Sequence, residues 1–301
     1  METEDNFENV NLIDFTPEMW GEVTKFRRFY RSTYSLNHAT TSALNGVEGH
    51  FLKYSALMKL TTEMIPKLAE DKEEAYKNGY SICLRSQQLA AIVETVICEL
   101  YSAVDCTRRV LNGIYGNLPG INVKSTHKLF VNAEMGKIDE RVPVEIRNAL
   151  INANKDWYPH LQKIRVTINH SDVGSCGFPD GNKISYLHSD LGKNPGNVIV
   201  SDDIFKDVHN YYTKVNKFLG VVFKSLNDTL TDELTNQICG IFGGRAYRRV
   251  VSAHEAIDFN SGLCESYKWF EQESNPTCPF VKTCGAYLRI KEKKDIDDQA
   301  T

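Results

Sequence analysis

Apolar residues recur at helical spacing along most of this chain, and their phase marks where one helix stops and the next begins. Val47, Phe51, Tyr54, Met58 and Ile65 keep that spacing between Thr41 and Ala69, which predicts a helix whose ends are weakened by Gly46, Gly49 and Pro66. A stronger stripe of Ile82, Leu89, Ile92, Val96, Leu100, Ala103, Val110 and Ile114 predicts a long helix from about Tyr80 to Tyr115, ended by Gly116 and the Pro119-Gly120 turn. A short helix is expected over Thr126 to Met135, then one that begins near Pro143 and carries Trp157, Leu161, Ile164 and Ile168 on a single face. Ile204, Val208, Tyr211, Val215, Phe218, Val222 and Leu226 mark another long amphipathic helix, with Ser201 or Asp202 as its N-cap. Successive amphipathic helices imply a mainly α fold, an antiparallel helical bundle over residues 1–235.

Residues 174–200 break the pattern. Pro179-Asp180-Gly181 and Asn194-Pro195-Gly196 signal turns, while Ile184/Tyr186/His188 and Val198/Val200 alternate as strands do, predicting a small β-hairpin inserted in the bundle. His188 is expected to be exposed there as a second proton-transfer candidate. Glycines and prolines interrupt the helical period over 236–290, which reads as a cysteine-bearing C-terminal segment. The charged residues 291–301 read as a disordered tail.

The helix carrying Trp157 holds the chemistry. Arg165 and His170 lie off its apolar stripe, rotated roughly 70° and 150° from the stripe's centre and separated by a rise of about 7.5 Å, so both project from the polar side and are placed to line a cleft. A histidine with an ordinary pKa near ~6.5 can accept and return a proton at neutral pH. An arginine presents a permanently charged planar fork to phosphate oxygens and stabilises a five-coordinate transition state. RNA cleavage through its own 2′-hydroxyl needs no metal when these two groups are well placed. The plainer alternative makes Arg165 a surface cation and His170 a C-terminal helix cap.

The Arg165-x4-His170 pattern near the end of a helix, followed by Ser171-Asp172, resembles the HEPN superfamily, whose signature is Arg-x(4 to 6)-His. The resemblance covers the helices from about residue 80 to 230. It implies a metal-independent endoribonuclease in which two bundles form a homodimer and each contributes its Arg and His to one cleft. By position, His170 then moves the proton at the ribose 2′-hydroxyl and Arg165 binds the phosphate. Active members usually carry a polar residue after the arginine; this chain has Val166, and Asn169 is the nearest amide that can substitute. The rival reading is a catalytically silent HEPN-like dimerising module that binds RNA, a nucleotide or a protein partner. An antitoxin or regulatory protein is a further expected partner.

Composition narrows the setting. Hydrophobic residues make up 42% of the 301 and charged residues 25%, values that imply neither disorder nor a membrane. No apolar run approaches the ~20 residues of a spanning helix, so Phe218 to Phe223 reads as buried helix. The acidic start from Met1 to Asn6 lacks the basic and apolar regions of a secretory signal, which points to the cytoplasm. A net charge of −4 argues against non-specific coating of nucleic acid but permits a local basic groove for single-stranded RNA. Arg245, Arg248 and Arg249 are the candidates; Lys25 to Arg31 reads instead as a helix with an aromatic core face and a solvated basic face. Walker A, GxSxG, HExxH and dinucleotide fingerprints do not occur in the required context.

Eight cysteines are too few for a disulfide scaffold. Cys83, Cys98 and Cys106 fall in helical sequence and read as core, and Cys176 falls in the hairpin. Cys239, Cys264, Cys278 and Cys284 concentrate in the C-terminal segment and match the ligand count of a structural zinc site, with an iron–sulfur cluster as a second option and His254 as a replacement ligand. A metal-cluster protein with the bundle as scaffold is a third functional class, and ordinary packing is the alternative for these four residues.

Overall fold

The computed structural model describes residues 21–178, 180–181, 183–192, 198–242, 244–256 and 260–299. The acidic start, the Asn194-Pro195-Gly196 turn, Pro179, Gly243 and the last two residues lie outside them. The protein is mainly helical with two small antiparallel sheets. It divides into two compact units, residues 37–221 and the described parts of 1–36 together with 222–301.

The larger unit is built on α2 (His38–Met64) and α4 (Leu84–Tyr115). Asn37 starts α2 by accepting from the Thr40 amide at 2.9 Å. The helix runs straight through Gly46 and Gly49, whose role is spatial. A Cβ at Gly46 would stand 2.7 Å from Cys106 Sγ, and one at Gly113 would stand 2.2 Å from Thr40 Oγ1. His50 meets Glu99 at 2.5 Å, so contacts rise along α2 as they fall along α4, and the two helices are antiparallel. A 3-10 turn at Ile65–Lys67 holds Pro66, and α3 (Leu68–Asn78) follows. Buried Asp71 of α3 accepts from the Arg85 and Ser86 amides at 3.2 and 2.8 Å, capping α4 from outside its own chain segment.

α5 (Thr126–Glu134) falls where expected, but the helix expected from Pro143 is two, α6 (Val144–Lys155) and α7 (Tyr158–His170). Pro159 explains the break: it lacks an N–H and fits only the first turn of a helix. Tyr158 is fully buried and stacks on Phe130 with ring centroids 3.8 Å apart. α8 (Ile204–Asn227) is capped by Asp203, which accepts from the Lys206 amide at 3.3 Å, rather than by Ser201 or Asp202.

The predicted hairpin is a three-stranded sheet of β1 (Ser175–Cys176), β2 (Tyr186–Leu187) and β3 (Ile199–Ser201). Its anchor is buried Glu94 of α4, which accepts from the Tyr186 hydroxyl at 2.6 Å and the Gly174 amide at 2.7 Å.

In the other unit, α1 (Glu22–Phe29) buries Val23, Phe26 and Phe29 as the sequence predicts, but of its cations only Arg28 is exposed, Lys25 and Arg27 being half-buried. Here the sequence misses most of the order. β4 (Leu234–Phe242) and β5 (Arg245–Ser252) form a long antiparallel hairpin, with Gly244 at φ +74° just before β5, and β6 (Leu263–Cys264) pairs with β5. A glycine pair between two β-branched, aromatic runs is a hairpin signal that was available in the sequence. After the short α9 (Tyr267–Phe270), α10 (Gly285–Gln299) corrects the expectation of a disordered tail from 291. Ala286 and Tyr287 are buried and Arg289 donates to the Gly262 carbonyl at 3.0 Å, so the helix is docked at its start and continues through good helix formers.

Candidate functional site

Three members of the expected apolar stripe, Trp157, Leu161 and Ile164, are buried, and the fourth, Ile168, is half-buried towards the end of α7. Arg165, on the flank of that stripe, is half-buried and lies over the ring of Tyr101 in α4 with its guanidinium carbon 5.2 Å from the centroid. Asn169, one turn on, holds the same group. With its amide oriented by hydrogen-bond complementarity, its oxygen accepts from Arg165 Nε at 3.1 Å and Nη2 at 3.2 Å. Cys98 Sγ stands 3.7 Å from the amide. Burial pushes the Cys98 thiol up, the Arg165 charge draws it back, and Glu94 and Glu99 raise it further, so it faces Arg165 as a neutral thiol. Among the described residues, Arg165 Nη1 has no hydrogen-bond partner.

His170 ends α7 and is exposed, as is Val166 at 43%. No hydrogen bond or ion pair engages the His170 ring among the described residues, so it does not act as the carbonyl-bonding cap of the plainer reading. One helix thus carries a cation fixed from two sides and a free imidazole at its end.

A cavity of about 260 Å³ lies on another side of α7, lined by His160, Ile164, Tyr186, Ser201, Asp207 and Tyr211 among others. His160 Nδ1 is hydrogen-bonded to the Tyr211 hydroxyl, and burial, then Asp207, holds that hydroxyl well above the ordinary tyrosine range. Sequence alone gives little sign of this pair, because Tyr211 fits the apolar stripe of α8 and His160 sits in the first turn of α7, far along the chain from it. The only available signal was two polar-tipped rings within otherwise apolar faces.

His188 corrects the expectation of exposure: it is 3% exposed, and its Nδ1 accepts from the Asp190 amide at 3.1 Å. That burial, with its ring centroid 6.3 Å from that of Tyr186, withdraws it from proton transfer with a solvent-borne substrate. The basic candidates do not share one surface. Arg249 is 2% exposed, Arg245 lies over the Trp269 ring at 5.0 Å, and Arg248 is exposed on the opposite face of β5.

The four C-terminal cysteines are brought together from four places. Buried Cys264 belongs to a cluster with Tyr247, Tyr267, Phe270, Ala286 and Tyr287, and Cys239, Cys278 and Cys284 pack against it. His254 lies apart, bonded through Nε2 to the Leu230 carbonyl at 2.9 Å. Among the described residues, no three His, Cys, Asp or Glu side chains stand at the spacing that holds a metal ion. All eight cysteines are free thiols, and no helix among the described residues is long and apolar enough to cross a membrane.

None of the family models, curated proteins or solved structures compared with this chain matches it.

Proposed function

We propose that the unit spanning residues 37–221 is a metal-independent endoribonuclease of HEPN type that works as a homodimer in the cytoplasm. The observation that carries this reading is the Arg165 clasp one turn before an unengaged His170. Tyr101 and Asn169 hold the guanidinium, so the phosphate-binding group is oriented before substrate arrives, and its Nη1 edge remains for a phosphate oxygen. Asn169 supplies the amide beside the arginine that Val166 does not. His170, exposed at the helix end, takes the 2′-hydroxyl proton, the 2′-oxygen attacks the adjacent phosphorus, and the 5′-oxygen leaves with a proton returned from solvent or the second His170. The products are a 2′,3′-cyclic phosphate and a free 5′-hydroxyl.

A second reading is favoured by the same clasp: a guanidinium engaged by Tyr101 and Asn169 also suits a silent dimerising module that binds RNA or a protein. The test is cleavage of single-stranded RNA in excess chelator. Cyclic-phosphate ends are expected, with at least a hundredfold loss in His170→Ala and no change in its unfolding midpoint. Equal cutting by wild type and His170→Ala, in preparations cleared of contaminating nuclease, rejects the enzyme; no cutting of diverse RNAs moves the assignment to the silent module.

A further inference from the structure

The outer edge of the C-terminal sheet is a feature independent of the ribonuclease reading. β4 lies at one side of the order β4-β5-β6. Among the described residues no other strand pairs with its outer edge, and none of its backbone groups bonds to backbone outside the sheet. An open edge is a template for another chain, and edges that stay single are blunted by charge or proline, or kept short. β4 has nine residues, Leu234–Phe242, with no charged residue and no proline among them. Its side chains alternate. Gln237 is buried and donates to the Arg28 carbonyl, whereas Leu234, Asn236 and Ile238 face outward, Leu234 being 71% and Ile238 51% exposed. The same face carries exposed Arg248, opposite Ile238, and half-buried Val250, opposite Asn236. The register shift between Ile238 and Gly240 ends the regular run, so the straight part of the edge is Leu234 to Ile238.

We propose that this edge pairs antiparallel with the same edge of a second copy of the chain, about a two-fold axis at Asn236. In that register the edge is its own complement. Leu234 of each copy stands opposite Ile238 of the other, and the two Asn236 residues stand opposite each other, so apolar meets apolar and amide meets amide. Charge favours the same arrangement. Asp232 and Glu233 precede β4 and are exposed, and antiparallel pairing carries them past Ile238 of the other copy, on whose far side Arg248 projects. β5 then lies two strand spacings, about 9.6 Å, from the partner's β4, a gap that an extended arginine and a carboxylate side chain close from both sides. Parallel pairing would instead align the two acidic ends with each other and the two Arg248 residues with each other.

An extended peptide of another protein would gain the same backbone bonds. It would not need the matched side chains and oppositely charged ends that the edge offers to itself. The two-fold contact also closes the assembly, since each copy presents the same patch and uses it once. The joined sheet runs β6-β5-β4 in one copy and β4-β5-β6 in the other, and it ends on both sides in two-residue β6, an edge too short to recruit a third chain. The contact lies wholly within the smaller unit and makes no use of Arg165 or His170.

Sedimentation of the full-length protein and of Asn236→Lys over a range of concentrations is the first measurement. Wild type should self-associate. Asn236→Lys sets two ammonium groups opposite each other on the axis and should weaken that association by about tenfold or more, with the circular dichroism of the wild-type fold, because the residue is exposed. The second measurement identifies the surface. A benzophenone amino acid in place of Leu234, in a mixture of isotopically light and heavy chains, should on irradiation cross-link one chain to the other at the peptide that holds Ile238. A wild-type monomer at every concentration, self-association unchanged in Asn236→Lys, or inter-chain cross-links that map elsewhere overturns the proposal. The ribonuclease cleft also calls for two copies, and the cross-link separates the two readings. Cross-links elsewhere in a protein that cuts RNA reject this contact alone, whereas a cross-link at Ile238 in a protein that cuts none supports this contact and counts only against the ribonuclease.

Discussion

Burial changes what individual residues can do, and Cys176 shows how far. It is 3% exposed, and burial, followed by the Glu94 carboxyl, pushes its thiol up to about 12 from an ordinary 9.0. As pH rises the unfolded chain gives up this proton first, so the folded state binds more protons and stability falls across that window. The thermal midpoint should therefore decline between pH 9.0 and about 12 more steeply in wild type than in Cys176→Ala. Parallel declines would show that another group governs alkaline unfolding. Arg165 is the converse case, a charge kept near the surface by an aromatic face and an amide. At this scale sequence is a poor guide. Arg249 and His188 read as solvent-facing because of their type, and both are buried by neighbours that local sequence does not name.

The α2–α4 pairing depends on glycines that weaken an isolated helix. Gly46 costs α2 roughly 1 kcal/mol relative to alanine, yet a Cβ there would meet Cys106 Sγ at 2.7 Å. Gly46→Ala should destabilise the protein by about 1–2 kcal/mol through overpacking. In a Cys106→Ala background, where the sulfur is gone, the same change should become stabilising by up to about 1 kcal/mol, from helix propensity alone. Denaturant midpoints for the four proteins check this; additive effects would mean that the two helices do not approach so closely. The β4–β5 hairpin was missed for an allied reason. Its glycines suggest loop composition, although in the sequence residues 243 and 244 stand between two strands.

For the whole molecule, residues from the start of the chain fold with residues from its end. Phe26 meets Phe223, Asn227 donates to the Glu22 carbonyl at 2.9 Å, and Gln237 donates to the Arg28 carbonyl at 3.2 Å. The expected boundary near residue 235 treats α1 as part of the bundle, whereas the compact division places its described residues with 222–301. A composite dimer cleft carries its own prediction. Specific RNase activity should rise with protein concentration and level off where sedimentation shows the dimer filled; activity proportional to concentration throughout, in a monomer, would reject the shared cleft.

The sequence by itself determined the long helices. α4, α5 and α8 lie within a few residues of where apolar period, Gly116 and the polar start of α8 put them, because the 3.6-residue repeat and its terminators are local. It also put Arg165 and His170 on the polar side of one helix. Tertiary structure alone decided that Arg165 rests on Tyr101, that Tyr186 anchors the small sheet to Glu94, and that four cysteines spread between residues 239 and 284 share one cluster. Each of these joins residues far apart along the chain, and such contacts follow from how loops close and faces pack, which no local period encodes.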